Sequence, residues 1–288
     1  MEFALTAAIE VVAGISTLIL IALGLAIVFG MMRVINLAHG EFLMLGAYAA
    51  ITATRYGINI FVSILVVAPL VVGLIGLVVE RLIIRRLYGR IIDTMLATWG
   101  LSLLLIGAVT TLFGNTTAGI SAPIGAVAIG ETSLSGYNIF IVTVAIAVVL
   151  SLVVLLRKTK FGLIARATMQ NPDMAAALGV NPRRIYALTF GLGAALAGLA
   201  GGMIAPVTGI VPGVGTVFVA KAFITVIGGG AAFITGTLSA SVLFGSVSQI
   251  TSFVSTPVFG EVAMLLAAII LVRLMPQGIT GSLFRGSI

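Results

Sequence analysis

The stretch VVAGISTLILIALGLAIVFGMM, residues 11–32, contains no charged residue and decides the fold class of this protein. A helix needs about 20 apolar residues to cross the hydrocarbon core of a bilayer. A charge at the centre of such a span costs roughly 2.5 to 3.5 kcal/mol on insertion scales, so charge-free runs mark spans well. The stretch therefore predicts a transmembrane helix.

Further apolar segments follow it along the chain. They cover residues 42–54, 56–79, 94–113, 137–156, 186–205, 217–230, 233–253 and 262–275. Segments 42–54 and 217–230 are short enough to be half-helices, and Pro69 predicts a break within 56–79. We predict an all-α polytopic transmembrane bundle of eight or nine spans, with residues 1–288 forming a single domain.

The composition agrees with a lipid-embedded chain, because 60% of the residues are hydrophobic and only 8% are charged. An ordinary soluble domain carries about a quarter charged residues. The formal net charge of +7 lies in short basic clusters between apolar segments, which favours the positive-inside pattern over nucleic-acid binding. The clusters at 81–90 and 157–184 and the tail with Arg285 share one side when every segment crosses. We therefore predict an external N-terminus and a cytoplasmic C-terminus.

Missing residues exclude several kinds of site. The sequence contains no Gly-Lys pair, so it has no phosphate-binding Walker loop and any use of ATP must involve a partner. With one histidine and no cysteine, the ligand spacings of zinc enzymes are also excluded. Energy for any transport therefore comes from a partner or from a gradient.

A polar island, RVINLAHGE at residues 33–41, lies between two apolar segments. Asn36, His39 and Glu41 are candidates for lining a translocation path, since ionisable groups in a membrane are expensive unless solvated or paired. The alternative is an interfacial ion pair between Arg33 and Glu41, with Asn36 and His39 capping a helix break. An intramembrane enzyme using His39 and Glu41 is disfavoured, because no nucleophile or orienting group accompanies them.

Three further residues are candidates for the path. Thr98 and Trp99 follow Asp93 in the segment 94–113, where a tryptophan fits an interfacial belt as well as a pore wall. Lys221 lies inside the segment 217–230, and snorkelling of its side chain toward headgroups is the alternative. Glu261 indicates the outer end of a span.

The second polar island is the basic loop at residues 157–184. Its Asn171-Pro172-Asp173 sequence is typical of a helix start, with a proline in the first turn and an acid near the N-terminal dipole. Gly179 is a typical C-cap. The loop predicts a short amphipathic helix parallel to the membrane, which suits either docking of a cytoplasmic partner or anchoring on anionic lipid.

Two blocks of this sequence resemble a known family. INLAHGEF at residues 35–42, followed by LGAY at 45–48, is similar to the opening block of the leucine/isoleucine/valine permeases. QNPDMAAALG at 170–179 is similar to the cytoplasmic coupling loop of these proteins, and LTF at 188–190 follows it. By this resemblance the chain is identified as a member of the permeases of branched-chain amino acid and urea ABC importers, the hydrophobic amino acid uptake family.

The resemblance implies a function for the second island. ABC importers carry a Glu-Ala-Ala signature followed, after three residues, by Gly. Asp173 takes the Glu position here, Met174 and Ala175 take the Ala positions, and Gly179 takes the Gly position. The helix implied to couple this chain to an ATPase comprises Pro172, Asp173, Met174, Ala175, Ala176, Ala177, Leu178 and Gly179.

The resemblance also implies partners and a location. They are a second, related permease subunit, two cytoplasmic ATPase subunits and an external solute-binding protein, assembled in a bacterial or archaeal inner membrane. No cofactor is expected on this chain, since ATP and Mg²⁺ would be bound by the ATPases. The chain itself is expected to be a non-catalytic permease subunit.

The substrate stays open at this point. RLYGR at 86–90, ATWG at 97–100 and PQG at 276–278 look closer to the urea permeases. VIGGGAA at 226–232 departs from the Val-Leu-Gly-Gly-Met/Leu-Gly run usual in the family. The expected solute is a branched-chain amino acid, or urea or a short amide, and the alternative function is a gradient-driven secondary transporter or channel.

Overall fold

A computed structural model describes residues 2–129, 132–230 and 232–283. Arg285, one of the bases predicted to be cytoplasmic, and Ala231 lie outside the described residues. The helices are α1 Glu2–Met32, α2 His39–Arg55, α3 Ile60–Val62, α4 Ala68–Leu82, α5 Ile91–Phe113, α6 Gly136–Lys158, α7 Lys160–Gln170, α8 Pro172–Ala177, α9 Pro182–Ile204, α10 Gly215–Gly229, α11 Phe233–Val254, α12 Pro257–Leu274 and α13 Gly278–Leu283.

Seven helical stretches of the described chain are long and apolar enough to cross a membrane. They are Thr6–Met32, Ile60–Arg86, Ile91–Phe113, Gly136–Lys158, Pro182–Ile204, Phe233–Val254 and Pro257–Gly281. The predicted polytopic helical bundle is confirmed, whereas the predicted count of eight or nine spans exceeds these seven. The difference comes from α2 and α10, which have 17 and 15 residues and contain the two segments expected to be half-helices.

Pro69 does not break its helix, contrary to the prediction. A single π-helical turn, Ser63–Val67, joins α3 to α4, and Pro69 lies in the first turn of α4. A proline removes one backbone donor and crowds the preceding turn, and a wider turn directly before it accommodates both effects. The stretch Ile60–Arg86 therefore continues as one span.

Helix α9 packs against α1, α2 and α4 through a face of small residues. These residues are all buried: Gly193, Ala194, Ala197, Gly198, Gly201 and Gly202. A Cβ atom at Gly193 would lie 2.7 Å from the carbonyl oxygen of Gly24 on α1. This small-residue face is the surface that lets neighbouring backbones approach closely.

The two halves of the chain share an order of elements that the sequence did not reveal. In each half a long helix, α1 or α9, is followed by a short helix, α2 or α10, and then by longer helices. Helix α1 packs against α9 and α11, and α9 packs against α4. Each long helix also packs against the short helix of the other half, α1 against α10 and α9 against α2. The halves therefore interlock.

One small element of the structure is not helical. Strands β1 Ala126–Ile129 and β2 Thr132–Ser135 form an antiparallel hairpin before α6, with Ala126 opposite Ser135. The loop preceding it is tied to the segment between α9 and α10, because Ala118 and Ile210 exchange two backbone hydrogen bonds of 2.8 Å. These strands lie between the predicted spans 94–113 and 137–156, where the sequence pattern did not indicate a strand.

Candidate functional site

The first turns of the two short helices meet inside the bundle. Gly40, in the first turn of α2, lies against Gly215, the first residue of α10, and neither position has room for a Cβ atom. Helix N-termini carry a partial positive charge and free N–H groups. The contact therefore places two such ends side by side in the protein interior, next to Glu41.

Glu41 has no exposed surface. Ser102 on α5 is the polar side chain facing it, but its hydroxyl does not reach hydrogen-bond geometry, so neither carboxylate oxygen has a partner among the described residues. A buried carboxyl group without a hydrogen bond is costly and needs an explanation other than stability. Of the residues in the first polar island, Glu41 is the strongest functional candidate.

The predicted ion pair between Arg33 and Glu41 is wrong, because Arg33 is exposed and Glu41 is fully buried. Asn36 does shape the turn before α2, since its Oδ1 accepts a hydrogen bond of 3.1 Å from the backbone N–H of Ala38. His39 is not a cap. It is buried, and its Nε2 donates to the carbonyl oxygen of Ile21 on α1 at 3.0 Å.

No group of His, Cys, Asp or Glu side chains suited to holding a metal ion occurs in the described ranges. The alternative of an intramembrane enzyme would depend on the side chains of His39 and Glu41, which are 1% and 0% exposed. Their burial, and the use of His39 Nε2 by a backbone carbonyl, leave no exposed surface on which they would meet a substrate in this conformation.

Thr98 ties the first polar island to α5. Its hydroxyl accepts a hydrogen bond of 3.1 Å from the backbone N–H of Leu37 and donates one of 2.9 Å to the carbonyl of Thr94. Thr98 is fully buried, while the neighbouring Trp99 is 56% exposed on the outer surface of the chain. The structure thus brings Asn36, His39, Glu41 and Thr98 into one region and places Trp99 outside it.

Lys221 forms an ion pair within the bundle. Its Nζ lies 2.6 Å from Oε1 of Glu261 on α12. From the sequence, Glu261 indicates only the end of a span, because its partner is 40 positions away in the chain. The Lys221 ammonium therefore has an ion-pair partner in the bundle, which the alternative of snorkelling toward headgroups did not include.

The pair borders a cavity of about 320 Å³, which also includes Leu20, Ile141 and Met203 in its wall. A second cavity of about 240 Å³ has Lys221 in its wall as well, together with Ser248 and Gln249 of α11. Small-molecule pockets are typically about 300 to 1,000 Å³. Lys221 therefore borders both cavities, the first of which has the size of a small solute site.

The predicted coupling segment forms α8 and its two caps. Asn171 Oδ1 accepts a hydrogen bond of 2.9 Å from the backbone N–H of Met174, and Gly179 has a φ of +86°. Both termini thus follow the sequence prediction. Ala175 is buried, but Met174 is 59% and Leu178 79% exposed. This capped segment thus exposes two large apolar side chains, one on α8 and one at its C-terminal cap.

A buried carboxylate near the basic turn at 81–90 escaped the sequence analysis. Glu80, with no exposed surface, receives hydrogen bonds of 3.2 and 3.0 Å from Nε and Nη2 of Arg85. The Tyr88 hydroxyl donates to Oε1 of the same carboxylate. The Tyr88 ring packs 4.9 Å from that of Tyr186, in the first turns of α9. Glu80 therefore braces the basic turn against the helix that follows the coupling segment.

Comparison with known proteins supports a transport role for this arrangement. The family model described as branched-chain amino acid transport system / permease component matches residues 7–275. The probable branched-chain amino acid transport permease protein LivH of Methanocaldococcus jannaschii is 32% identical, with 92% of this chain and 88% of that protein covered. The high-affinity branched-chain amino acid transport system permease protein LivH of Escherichia coli (strain K12) is 30% identical, with 92% of each covered.

A solved structure has a similar fold. A chain of PsaBC from Streptococcus pneumoniae in complex with Fab superposes with a TM-score of 0.52 at 17% sequence identity. The superposition covers 95% of this chain and 91% of that one. At this identity the likeness concerns the fold alone.

Proposed function

This chain belongs to the branched-chain amino acid transport permease family, and from that premise we propose that it is the membrane-spanning subunit of an ATP-driven importer. Its substrate is a small polar solute, a branched-chain amino acid in the first place and urea or a short amide as the alternative. The observation that carries the proposal is the family match over residues 7–275. The substrate moves across the membrane and no covalent bond of it changes.

In this proposal, partner proteins supply the energy and capture the substrate. The sequence has no Walker loop, so two cytoplasmic ATPase subunits bind ATP and Mg²⁺. A second, related permease subunit completes the membrane part, and an external solute-binding protein delivers the solute. Residues 1–288 act as one permease domain, with the coupling loop at 157–184 and the C-terminus on the cytoplasmic side of the inner membrane.

Helix α8 is the proposed contact with the ATPase. Met174 and Leu178 present apolar surface, Asp173 adds a charge in the first turn, and Ala175 packs against the rest of the chain. A short capped helix with one buried and several exposed residues moves as a rigid unit when a partner pushes on it. Movement of this unit would shift the bundle between outward-open and inward-open arrangements, a population shift between two packings.

Helices α2 and α10 are the proposed moving parts at the centre. Both are shorter than a full span, and their first turns meet at two glycines, Gly40 and Gly215. A contact of this kind slides or opens without the loss of large apolar interfaces. Asn36, His39, Glu41, Thr98 and Lys221 are the proposed path residues, and Trp99 joins them only if the second permease covers its exposed face.

The coupling assignment is tested by co-purification and by transport-coupled ATP hydrolysis. We expect Asp173→Asn with Gly179→Ala to weaken association of the ATPase and to uncouple hydrolysis from uptake. The matched control is Asp93→Asn with Gly89→Ala, because Asp93 is also in a first turn and Gly89 also has a positive φ. Association and coupling that survive in the first variant as well as in the control would show that α8 is not the coupling helix.

One observation favours a second candidate, a gradient-driven transporter. Lys221 and Glu261 form an ion pair between two helices of the bundle, and charged groups in such positions often belong to ion pathways. Uptake by this chain alone in liposomes, driven by a proton or sodium gradient without ATP, would support that candidate. We expect uptake only when the ATPase subunits and ATP are present.

A further inference from the structure

The ion pair between Lys221 and Glu261 has an unusual position for two charges. Lys221 is in the second turn of α10 and Glu261 near the start of α12, and their side chains are 24% and 53% exposed. A paired charge that still reaches an open space can exchange its partner for an incoming ion. A fully enclosed pair would have to lose its partner before it gained another.

The cavity beside the pair has an apolar wall. Leu20, Ile141, Met203, Ile204 and Val217 contribute to it, together with both charged residues. Among the described residues that line this wall, the charged groups are one ammonium and one carboxylate, of opposite sign and adjacent to each other. The cavity therefore combines an apolar surface with one site for an anion and one site for a cation.

We propose that this cavity is a substrate subsite for a zwitterionic α-amino acid with an apolar side chain, whose carboxylate pairs with Lys221 and whose ammonium pairs with Glu261. The inference rests on the proposed import function and specifies its substrate class. The ligand's two charges replace the internal ion pair with two ion pairs, so neither Lys221 nor Glu261 loses its partner. The ligand's side chain lies against the apolar wall.

The arrangement also selects against the alternative substrate. Urea and short amides carry no charge, so they cannot separate Lys221 from Glu261 without leaving both charges unpaired. They also lack a side chain to contact Leu20 or Val217. The geometry thus favours amino acid import over urea import.

The two ion pairs that form with the ligand also affect the contact between α10 and α12. Separation of Lys221 from Glu261 releases α10 from α12, and α10 also touches the start of α2 through Gly215. Binding of the correct solute therefore loosens the short helix that we propose to move. Solutes that carry only one charge separate the pair but leave one of its members unpaired.

The test is a binding measurement on the full chain in lipid nanodiscs by saturation-transfer NMR, with four probes. The probes are leucine, 3-methylbutylamine, which lacks the carboxylate, 4-methylpentanoate, which lacks the ammonium, and urea. We expect the wild type to bind leucine at least about tenfold more tightly than any other probe, the effect of one charged hydrogen bond. Equal affinity for all four probes would overturn the subsite.

Single substitutions assign each charge. In Lys221→Met, leucine should bind no more tightly than 3-methylbutylamine, because the carboxylate has lost its partner. In Glu261→Gln, leucine should bind no more tightly than 4-methylpentanoate. A merely structural pair would instead weaken all probes by the same factor, which would overturn the proposal. Asp93→Asn, which removes a charge from a distant exposed pair, should leave every affinity unchanged.

A charge-swapped variant guards against misfolding of the single variants. Lys221→Glu with Glu261→Lys keeps both charges in the cavity, so it should fold as the wild type does and still prefer leucine over both one-charge probes. Loss of that preference in a correctly folded swapped variant would contradict the subsite.

Failure of the subsite and failure of the proposed function give different results. If ATP-driven leucine uptake occurs but Lys221→Met does not alter the preference among probes, only the subsite is overturned. If the probes behave as expected but uptake does not require ATP, the import mechanism is overturned and the subsite stands. If urea binds more tightly than leucine, the subsite is overturned and the urea reading of the function is supported.

Discussion

Glu80 shows how a single side chain is stabilised in this protein. It is fully buried, and Arg85 and Tyr88 supply its hydrogen bonds. Burial and the hydrogen bond to Glu80 raise the pKa of Tyr88 above its ordinary value, so its hydroxyl remains a donor throughout the physiological pH range. The carboxylate is thus satisfied on both oxygens, in contrast with Glu41.

Substitution of this carboxylate should destabilise the fold. Glu80→Gln leaves the Arg85 guanidinium without its counter-charge, and breaking a buried ion pair costs about 3 kcal/mol or more. We expect a loss of about 3 kcal/mol in the free energy of unfolding, since Arg85 is partly exposed. Unfolding of the purified chain by SDS titration, followed by fluorescence of its single tryptophan, measures this.

The control for Glu80 is Asp93→Asn. Asp93 pairs with Arg90 at 2.6 Å, but both side chains are exposed, and such surface pairs contribute only about 0 to 1 kcal/mol. If the two variants lose the same unfolding free energy, then burial does not govern the strength of these ion pairs.

For Glu41 we expect the reverse of Glu80: its substitution should preserve the stability of the fold and reduce transport. Because its oxygens lack hydrogen bonds, replacement by an apolar side chain of similar size removes a cost of about 1 to 3 kcal/mol. We expect Glu41→Met to be at least as stable as the wild type and to transport at least about tenfold less. Unfolding titrations and uptake by the assembled transporter measure the two effects. A destabilised variant with normal uptake would show that the carboxyl group is structural.

Close contact between elements depends on glycine where helices α2 and α10 meet. A Cβ at Gly40 would collide with the backbone of Gly215, and neither backbone can yield without moving its helix. Gly107 on α5 offers a matched comparison, because a Cβ there meets no atom within 4 Å. The same substitution therefore has opposite expected effects at the two positions.

Gly40→Ala should destabilise the chain by about 1 to 3 kcal/mol through overpacking and lower its uptake activity. Gly107→Ala should be neutral or stabilising by up to about 1 kcal/mol, because alanine favours a helix interior over glycine. Unfolding free energies of the two variants give the comparison. Equal values would mean that α2 and α10 separate readily enough to absorb a methyl group.

At the scale of the whole molecule, the membrane orientation follows from the placement of charge. Two candidate spans, Ile91–Phe113 and Gly136–Lys158, separate the basic turn at 81–90 from the loop at 157–184, so the two basic segments lie on the same side of the membrane. From the positive-inside pattern we predict that this side is cytoplasmic. We then expect the loop at 114–125, which lies between these two spans, on the external side. An external N-terminus and a cytoplasmic C-terminus then require α2 and α10 to cross the membrane in addition to the seven candidate spans.

The absence of cysteine makes this orientation directly measurable. Cysteines introduced at Ser121 and Lys160, both exposed, should react with a membrane-impermeant maleimide from opposite sides. We expect Ser121→Cys to label in intact cells and Lys160→Cys only after permeabilisation. The cysteine-free wild type is the control for background labelling. A reversed pattern would invert the topology and place α8 where no ATPase can reach it.

The sequence predicted the long spans closely. The run 11–32 lies within α1, the span predicted to end near Phe113 ends there, and 233–253 matches α11 within a residue. Lipid imposes a length and excludes charge, and both constraints are visible in a linear pattern. The caps of α8 were equally visible, because Asn171 and Gly179 act through their immediate neighbours.

Tertiary structure decided the contacts that link distant positions. Arg33 and Glu41 are close in sequence but do not form the ion pair considered for them. Lys221 instead pairs with Glu261, and Gly40 contacts Gly215. The sequence by itself determined a charge-free run at 11–32 and hence a helix in lipid, since burial in a bilayer requires only a local apolar length. Which helices touch depends on packing shape between surfaces far apart in the chain, and that information exists only in the folded bundle.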